Sequence, residues 1–229
     1  MDNPLQKDIF RKLNSTRNLF EVKDLLLSTA QLYHDGLIFK GAEQSEKDNF
    51  NGFFSILNGY IRDFYNGGLS LSKTKEEISK IKNGILKYSL IKAPKERKLA
   101  GKETEIRKFK KNFEESYFDQ IISVANGGFE PAALINSMDK EIIPVRYSHV
   151  NGHDKEVKLC NFYSQEELKN KIEGKKVILS EDYIHTGKTI DNVLEWTKKF
   201  SPNEIYVASV INLFPEKFNK INDNLYKVE

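Results

Sequence analysis

Four short apolar runs separated by helical stretches constrain the fold of this chain most strongly. They are DQIISVANGG, EIIPVRYSH, KKVILSEDY and EIYVASVINLF, and all of them follow Phe118. Short, continuously apolar runs that are rich in β-branched residues are typical of parallel strands buried on both faces. The stretches 131–138, 164–172 and 189–200 have helical patterns instead. This alternation predicts an α/β doubly wound parallel sheet, flanked by helices, over residues 118–215.

The N-terminal half has a different pattern of apolar residues. Its apolar residues recur at helical spacing, and the segments 21–36, 46–65 and 73–87 are predicted to be helices. We therefore divide the chain into an N-terminal helical region at 1–117 and an α/β core at 118–229.

Composition excludes several classes of protein. The 36 basic and 33 acidic residues give a net charge of +3, which is too small to indicate a nucleic-acid partner by itself. Cys160 is the single cysteine, so a disulfide framework is excluded and a reducing compartment is expected. The first 25 residues are too charged for a signal peptide, and no apolar run reaches membrane-spanning length. We expect a cytoplasmic protein without a membrane partner.

The most informative stretch is VILSEDYIHTGKT, residues 177–189. Its apolar start predicts a strand, and Glu181 and Asp182 stand at the carboxyl end of that strand, where open parallel sheets bind ligands. The turn that follows consists of Thr186, Gly187, Lys188 and Thr189. A glycine there lets the backbone approach an anion, and the start of the next helix supplies N–H groups and a positive dipole end. The two threonine hydroxyls would add donors.

Carboxylates beside a phosphate repel it unless they hold hydroxyls or a cation. A phosphorylated sugar with Mg²⁺ meets both needs. The P-loop alternative needs a glycine five residues before Gly187, but Asp182 occupies that position, so we exclude it. The remaining alternative is an ordinary strand–turn–helix with charged surface residues, although turns seldom combine all these features.

The same residues resemble the 5-phosphoribosyl-1-pyrophosphate (PRPP) motif of type I phosphoribosyltransferases. That motif has an apolar strand, two acids, two mostly apolar positions, a variable residue and Thr-Gly-x-Thr. The form Glu-Asp-x-Ile-x-Thr-Gly-Lys-Thr at 181–189 is especially similar to hypoxanthine-guanine phosphoribosyltransferases. The resemblance implies the type I fold and a Mg²⁺-dependent transfer of the 5-phosphoribosyl group from PRPP to a nucleobase or related nitrogen heterocycle, with release of pyrophosphate.

The resemblance also implies roles for these residues. Glu181 and Asp182 would bind the ribose 2- and 3-hydroxyls, directly or beside Mg²⁺, and would stabilise positive charge that develops on the ribose. The loop 185–189 would hold the 5-phosphate. His185 stands where the purine enzymes carry an aspartate assigned as general base. A histidine with a pKa near ~6.5 can accept a proton at neutral pH, and the alternative is a loop histidine that only contacts phosphate or solvent.

Type I enzymes bind pyrophosphate at a loop after the first core strand. The corresponding residues here are Asn126, Gly127 and Gly128. Small residues before a helix suit an anion, but the purine enzymes often carry a lysine where Asn126 stands. Arg146 ends the second strand, where the family often has a basic residue near pyrophosphate. Lys155 and Lys158 of the following flap would close over pyrophosphate or remain ordinary surface lysines.

The family usually covers its acceptor with a hood from outside the core, and we expect residues 1–117 to supply this hood or accessory subdomain. In the purine enzymes a lysine after the last strand reads the purine oxygen. The equivalent position falls near Asn212 and Leu213, so the resemblance does not extend to purine specificity. The expected ligands are PRPP and a small nitrogenous acceptor, and a homodimer is the assembly we consider.

A noncatalytic PRPP- or nucleotide-binding regulatory protein of the same fold is the alternative function. It is favoured by His185, Asn126 and the absent acceptor lysine, whereas the intact acids and phosphate loop favour catalysis.

Two other features have ordinary explanations. The basic run from Lys92 to Lys111 would suit nucleic acid, but its interspersed glutamates favour a solvated helix. His149, His153 and Cys160 offer no fourth ligand at zinc spacing, which argues against a zinc site.

Overall fold

The computed structural model describes residues 11, 19–41, 46–68, 72, 75–76, 103–113, 117–124, 127–136, 140–147 and 154–228. Most of the predicted helix at 73–87 lies outside these residues, as do Asn126, His149 and His153. The chain divides into two compact units. The first consists of Met1–Lys98 with Cys160–Phe162, and the second of Leu99–Leu159 with Tyr163–Glu229. The assignment of residues 1–117 as a hood or accessory subdomain stays a prediction.

Two long helices are described in the first unit, α1 (Leu19–Lys40) and α2 (Glu46–Asn66). Helix α1 continues past the predicted end at Gly36 because the apolar spacing continues, and Leu37 is fully buried. Among the described residues, no helix combines the length and the hydropathy needed to cross a membrane.

Aromatic side chains of α2 form the core of this unit. Phe50, Phe53 and Phe54 are all buried, and the rings of Phe50 and Phe54 lie 4.6 Å apart between centroids. Phe162 contributes a further ring, 5.5 Å from Phe50. The cluster is therefore a helix-packing core, as its spacing predicts, and it is not exposed for base stacking.

The described elements of the second unit are α3 (Glu103–Lys111), β1 (Gln120–Val124), α4 (Phe129–Ile135), β2 (Ile142–Val145), α5 (Gln165–Ile172), β3 (Lys176–Ile184), α6 (Lys188–Lys198), β4 (Glu204–Asn212), a 3₁₀ turn (Pro215–Lys217), β5 (Asn219–Lys220) and β6 (Leu225–Lys227). Their strands form one sheet in the order β2-β1-β3-β4-β6-β5. The pairs β1–β2, β1–β3 and β3–β4 are all parallel, which confirms the predicted α/β class. Strand β6 pairs antiparallel with β4 and β5, which makes the sheet mixed.

Local sequence signals explain these core elements. All residues of β1 and β2 are buried, as expected for strands covered on both faces. Helix α5 is capped by Ser164, the first residue of the predicted stretch 164–172, whose hydroxyl accepts a hydrogen bond of 3.0 Å from the Glu167 N–H. Strands β5 and β6 were not predicted, because two or three residues are too few to show a strand period.

The strand order creates a switch point between β1 and β3. From β1 the chain moves to β2 on one side, and it then returns to β3 on the other side. In such sheets the connections after the two central strands leave in opposite directions, so a crevice opens at their carboxyl ends. Pairing of β1 with β3 ends at Ser123 and Ser180, and among the described residues β3 then pairs with β4 alone up to Ile184.

The turn after β1 packs tightly against β3. Gly128 has φ −73° and ψ −12°, a conformation open to any residue. A Cβ at this position would nevertheless overlap the carbonyl oxygen of Ser180 and approach the Val124 nitrogen to 2.7 Å. The buried Ser180 hydroxyl donates to the Gly128 carbonyl at 3.0 Å. Glycine is needed here because backbone lies where a side chain would project.

We predict that Gly128→Ala destabilises the protein by about 3 kcal/mol or more, because the added methyl group meets rigid backbone. The urea midpoint of unfolding measures the change. Gly59→Ala is the control, since a Cβ on this α2 residue has nothing within 4 Å. It is expected to stabilise by about 0.5–1 kcal/mol through helix propensity. Wild-type stability of Gly128→Ala would contradict the packing described.

Cys160 is fully buried in the first unit. Burial raises the pKa of its thiol above the ordinary range, and the Asp35 carboxylate acts in the same direction. The thiolate is the reactive and metal-binding form, so the buried neutral thiol is unsuited to either role.

We predict that Cys160 of the native protein does not react with a thiol reagent at pH 8 and reacts fully after denaturation. Raising the pH to about 9 should increase labelling of the native protein very little, although an ordinary thiol with a pKa near 8.5 becomes mostly ionised at that pH. Absorbance of the released chromophore measures labelling, and Cys160→Ala gives the background. Full labelling of the folded protein within minutes would show that the thiol is accessible.

Candidate functional site

Two carboxylates converge where β3 extends beyond β1. Glu181 is 8% exposed and Asp182 is half-buried. A Cβ on Gly127 would overlap both Glu181 Oε1 and Asp182 Oδ1, so the two side chains point into the same space above the turn after β1. The Asp182 N–H donates to Glu181 Oε1 at 3.1 Å. The structure thus brings the predicted acids together with Gly127.

This arrangement has a clear electrostatic consequence. Two carboxylates that share a space repel each other, and a cation or hydroxyl donors between them relieve the repulsion. The glycine at 127 leaves room for the ends of these two side chains. The convergence therefore suits a divalent cation, a diol or both.

Residues 185–187 connect β3 to α6 and are the first part of the loop 185–189, to which the sequence analysis assigns the 5-phosphate. Gly187 has φ +74°, the left-handed region that favours glycine, and it stands at the N-cap of α6. The Asp191 N–H donates to the Gly187 carbonyl at 2.9 Å, which makes the first helical hydrogen bond. The N–H groups of a first helical turn have no acceptor within the helix and attract anions.

The threonines flank this turn differently. Thr186 and Lys188 are exposed, whereas Thr189 is half-buried. The Thr186 hydroxyl lies 3.5 Å from the Lys188 nitrogen, at the outer limit of a hydrogen bond. Both threonines lie in the segment 185–189, which the sequence predicts to bind an anion.

An exposed apolar face lies at the ends of β3 and β4. It consists of Tyr183, His185, Leu213 and Phe214. The rings of Tyr183 and His185 stack with centroids 6.0 Å apart and planes 16° from parallel. The Leu213 N–H donates to the Ile184 carbonyl at 3.0 Å, which joins the two strand ends. Leu213 and Phe214 are 50% and 40% exposed, so this apolar strand-end face is open to solvent.

Arg146 is held in an ion-pair network. Its Nε lies 3.4 Å from Asp154, and Lys158 lies 3.1 Å from the same carboxylate. Arg146 and Lys158 also exchange backbone hydrogen bonds of 2.7 and 2.8 Å. Asp154 is only 1% exposed at its side chain, and it anchors the segment after β2. Lys155 is exposed, and its predicted role in a flap stays a prediction.

The described end of the basic run shows one specific contact. Lys108 on α3 pairs with Asp223 at 2.8 Å. Lys108 and the neighbouring Lys220 lower the pKa of the Asp223 carboxyl to about 2. The contact fits a solvated helix with ion pairs.

Lys217 was missed by sequence reasoning. Its ammonium group lies 3.1 Å from the position of a Cβ on Gly187, and it pairs with Asp191 at 2.5 Å. Asp154 was missed as well. Lys217 makes its contact 26 positions away in the sequence, so no local pattern marks it. Asp154 pairs with Lys158 four residues later, but one such spacing in an irregular segment does not mark a buried carboxylate.

The comparisons with known proteins include a similar solved structure. Among solved structures, the crystal structure of purine phosphoribosyltransferase from Pyrococcus horikoshii Ot3 is similar, with 26% identity and a TM-score of 0.35. The similarity covers 47% of this chain and 70% of that chain. No curated protein sequence matches.

A family model gives the assignment. The model described as phosphoribosyl transferase domain matches residues 98–224, which is more than half of the chain and includes the acids, the turn after β1 and the loop before α6. The match confirms the family that the motif at 181–189 indicates. The protein therefore belongs to the phosphoribosyl transferase domain family, whose reaction is phosphoribosyl transfer.

Proposed function

We propose that the protein transfers the 5-phosphoribosyl group of PRPP to a planar nitrogen heterocycle and releases pyrophosphate, with Mg²⁺ as cofactor. One observation carries the proposal. Glu181 and Asp182 converge above Gly127, and the loop after them leads through Gly187 into the N-terminus of α6. Hydroxyl-binding acids and an anion-binding turn at one strand end match the two ends of a phosphorylated ribose.

The 5-phosphate would bind at the loop 185–189. The dipole of α6 and the N–H groups of its first turn favour a dianion at this end. The ribose hydroxyls would then meet Glu181 and Asp182, which precede the loop on the same strand.

Mg²⁺ fits the same acids. This cation is usually bound by one or two carboxylates together with substrate phosphates and water. Glu181 and Asp182 supply two carboxylates whose oxygens converge on one point above Gly127. When bound, Mg²⁺ would neutralise charge on the pyrophosphate as it leaves.

Pyrophosphate would lie toward β1 and β2. Arg146 follows β2 at the carboxyl edge of the sheet, the same edge at which Gly127 and Gly128 follow β1. Its contact with Asp154 restricts the guanidinium group, which lowers the entropy lost when it meets an anion. The predicted role of Asn126 in binding pyrophosphate stays part of this proposal.

In the reaction the bond between ribose C1 and the pyrophosphate oxygen breaks, and the electron pair leaves with pyrophosphate. An acceptor nitrogen then forms the new bond to C1 and loses its proton. Glu181 and Asp182 stabilise the positive charge on the ribose between these events. His185 is the candidate base, because a neutral imidazole accepts a proton at pH 7.

The acceptor would bind at the apolar strand-end face. Stacking of flat rings on Tyr183, His185 or Phe214 suits a heteroaromatic compound. Asn212 does not offer the ammonium donor of the purine enzymes, and its side-chain oxygen accepts from the Phe214 N–H at 2.9 Å. We therefore extend the acceptor class beyond purines to other nitrogen heterocycles.

The remaining parts of the proposal concern partners and location. Location in a reducing compartment such as the cytoplasm stays a prediction, and so does assembly as a homodimer. Nucleic acid is disfavoured as a partner, because Lys108 of the basic run already pairs with Asp223.

We predict that Asp182→Asn raises the Kd for PRPP with Mg²⁺ at least about tenfold, because a carboxylate that holds a hydroxyl or cation is worth about 1.5–3 kcal/mol. Isothermal titration measures the Kd. Turnover is followed as pyrophosphate release in a screen of free bases.

Glu166→Gln serves as the matched control, since Glu166 is exposed on α5 and the change removes the same charge. Equal PRPP binding by wild type and both variants would contradict the site. PRPP binding without pyrophosphate release for any base would favour the noncatalytic regulatory alternative.

We also predict that Gly127→Ala folds but binds PRPP at least about tenfold more weakly. Its Cβ meets only the ends of two acidic side chains, which can move, so stability should change by less than about 1 kcal/mol. The displaced acids then no longer converge. Thermal unfolding and titration with PRPP separate the two effects, and unchanged PRPP affinity would show that the space above Gly127 is not used.

A further inference from the structure

We propose that Lys217 is a further 5-phosphate-binding residue, acting through its charge beside the phosphate loop. The inference rests on the proposed function, because it concerns the same 5-phosphate. It adds a residue from the segment after β4, outside the motif at 181–189.

The contact that carries the inference joins Lys217 to Gly187. A Cβ on Gly187 would lie 3.1 Å from Lys217 Nζ, 3.4 Å from Cδ and 3.8 Å from Cε. The last part of the lysine side chain thus lies across the glycine that gives the loop its left-handed turn. The ammonium group therefore approaches the segment in which the phosphate would bind.

Asp191 holds the lysine in this position. Its carboxylate pairs with Lys217 across 26 positions of sequence, from the first turn of α6 to the 3₁₀ turn after β4. Lys217 and Asp191 are 35% and 43% exposed, so both reach solvent and neither is committed to a buried contact. A dianion at the loop would compete with Asp191 for the same ammonium group.

Two other lysines with acidic partners, in the part of the chain that the structure describes, do not share this geometry. Lys198 pairs with Glu195 on the same helix at 3.3 Å, and Lys220 pairs with Asp223 three residues away at 2.9 Å. Such local surface pairs contribute little. Lys217 differs because it crosses from another element to the loop itself.

The charge of each side chain sets the direction in which its loss should change phosphate affinity. A cation a few ångströms from a dianion gains from Coulomb attraction, and a carboxylate at the same place loses by repulsion. Loss of Lys217 should therefore weaken phosphate binding, and loss of Asp191 should leave it equal or tighter. A purely structural lysine would predict that both changes weaken binding alike.

The test titrates ribose 5-phosphate into the full-length protein and the variants Lys217→Met, Lys217→Arg and Lys198→Met. Lys198→Met is the matched control, because Lys198 also has an acidic partner and stands at the other end of α6, about 15 Å along the helix. We expect Lys217→Met to raise the Kd about five- to tenfold and to reduce its dependence on salt. Lys217→Arg and Lys198→Met should stay within about twofold of wild type.

Asp191→Asn provides the second measurement, with an expected Kd equal to or below that of wild type. Thermal unfolding checks that each variant is folded. Equal Kd values for Lys217→Met and Lys198→Met would overturn the inference, and so would weaker binding by Asp191→Asn.

The same titrations separate this inference from the proposed function. If wild type binds neither PRPP nor ribose 5-phosphate, both fail. If wild type binds both and Asp182→Asn weakens PRPP binding, but Lys217→Met has no effect, only the role of Lys217 fails.

Discussion

The close packing of the turn after β1 against β3 is the contact on which the site depends. Gly128 lies against the Ser180 carbonyl, and the Ser180 hydroxyl donates to the Gly128 carbonyl. Because β1 stops there, β3 continues with a neighbour on one side only. Its acids consequently have room to face a ligand while β4 keeps the strand straight. A larger residue at 128 would push the turn away and open this arrangement.

Charge is arranged around this crevice in pairs. Arg146 and Lys158 share Asp154, and Lys217 has Asp191. These contacts restrict the cations, and under our proposal each paired carboxylate is one that an incoming phosphate would have to outcompete. Glu181 and Asp182 are the opposite case, because the two acids face each other. A ligand that brings anionic groups and a divalent cation suits both clusters, because its anionic groups pair with the basic side chains and its cation pairs with the two acids. A simple anion suits only the basic side chains.

Sequence reasoning succeeded where the signal is local. Strands β1 to β4 are continuous apolar runs, α5 lies within the predicted stretch 164–172, and the motif at 181–189 gave both the acids and the turn. Sequence reasoning missed the extension of α1 past Gly36, because propensity was outweighed by burial of the next turn. It also missed Lys217, since a contact across 26 positions leaves no spacing in the sequence, and Asp154, whose burial follows from packing. The elements of the candidate site were thus predictable as a motif, whereas the surrounding ion pairs were not.

Selection of the acceptor follows from what the end of β4 provides. The Asn212 side-chain oxygen is used to close the turn onto Phe214, and Leu213 beside it is apolar and exposed. A site that reads a substrate by hydrogen bonds rejects analogues strongly, whereas an apolar surface discriminates by about 1–3 kcal/mol per group. If stacking on Tyr183 and Phe214 holds the acceptor, ring size and flatness decide affinity more than the position of one oxygen. The resemblance to the purine enzymes therefore covers the motif at 181–189, to which we assign PRPP, and the acceptor has to be determined from the side chains that this chain exposes at the end of β4.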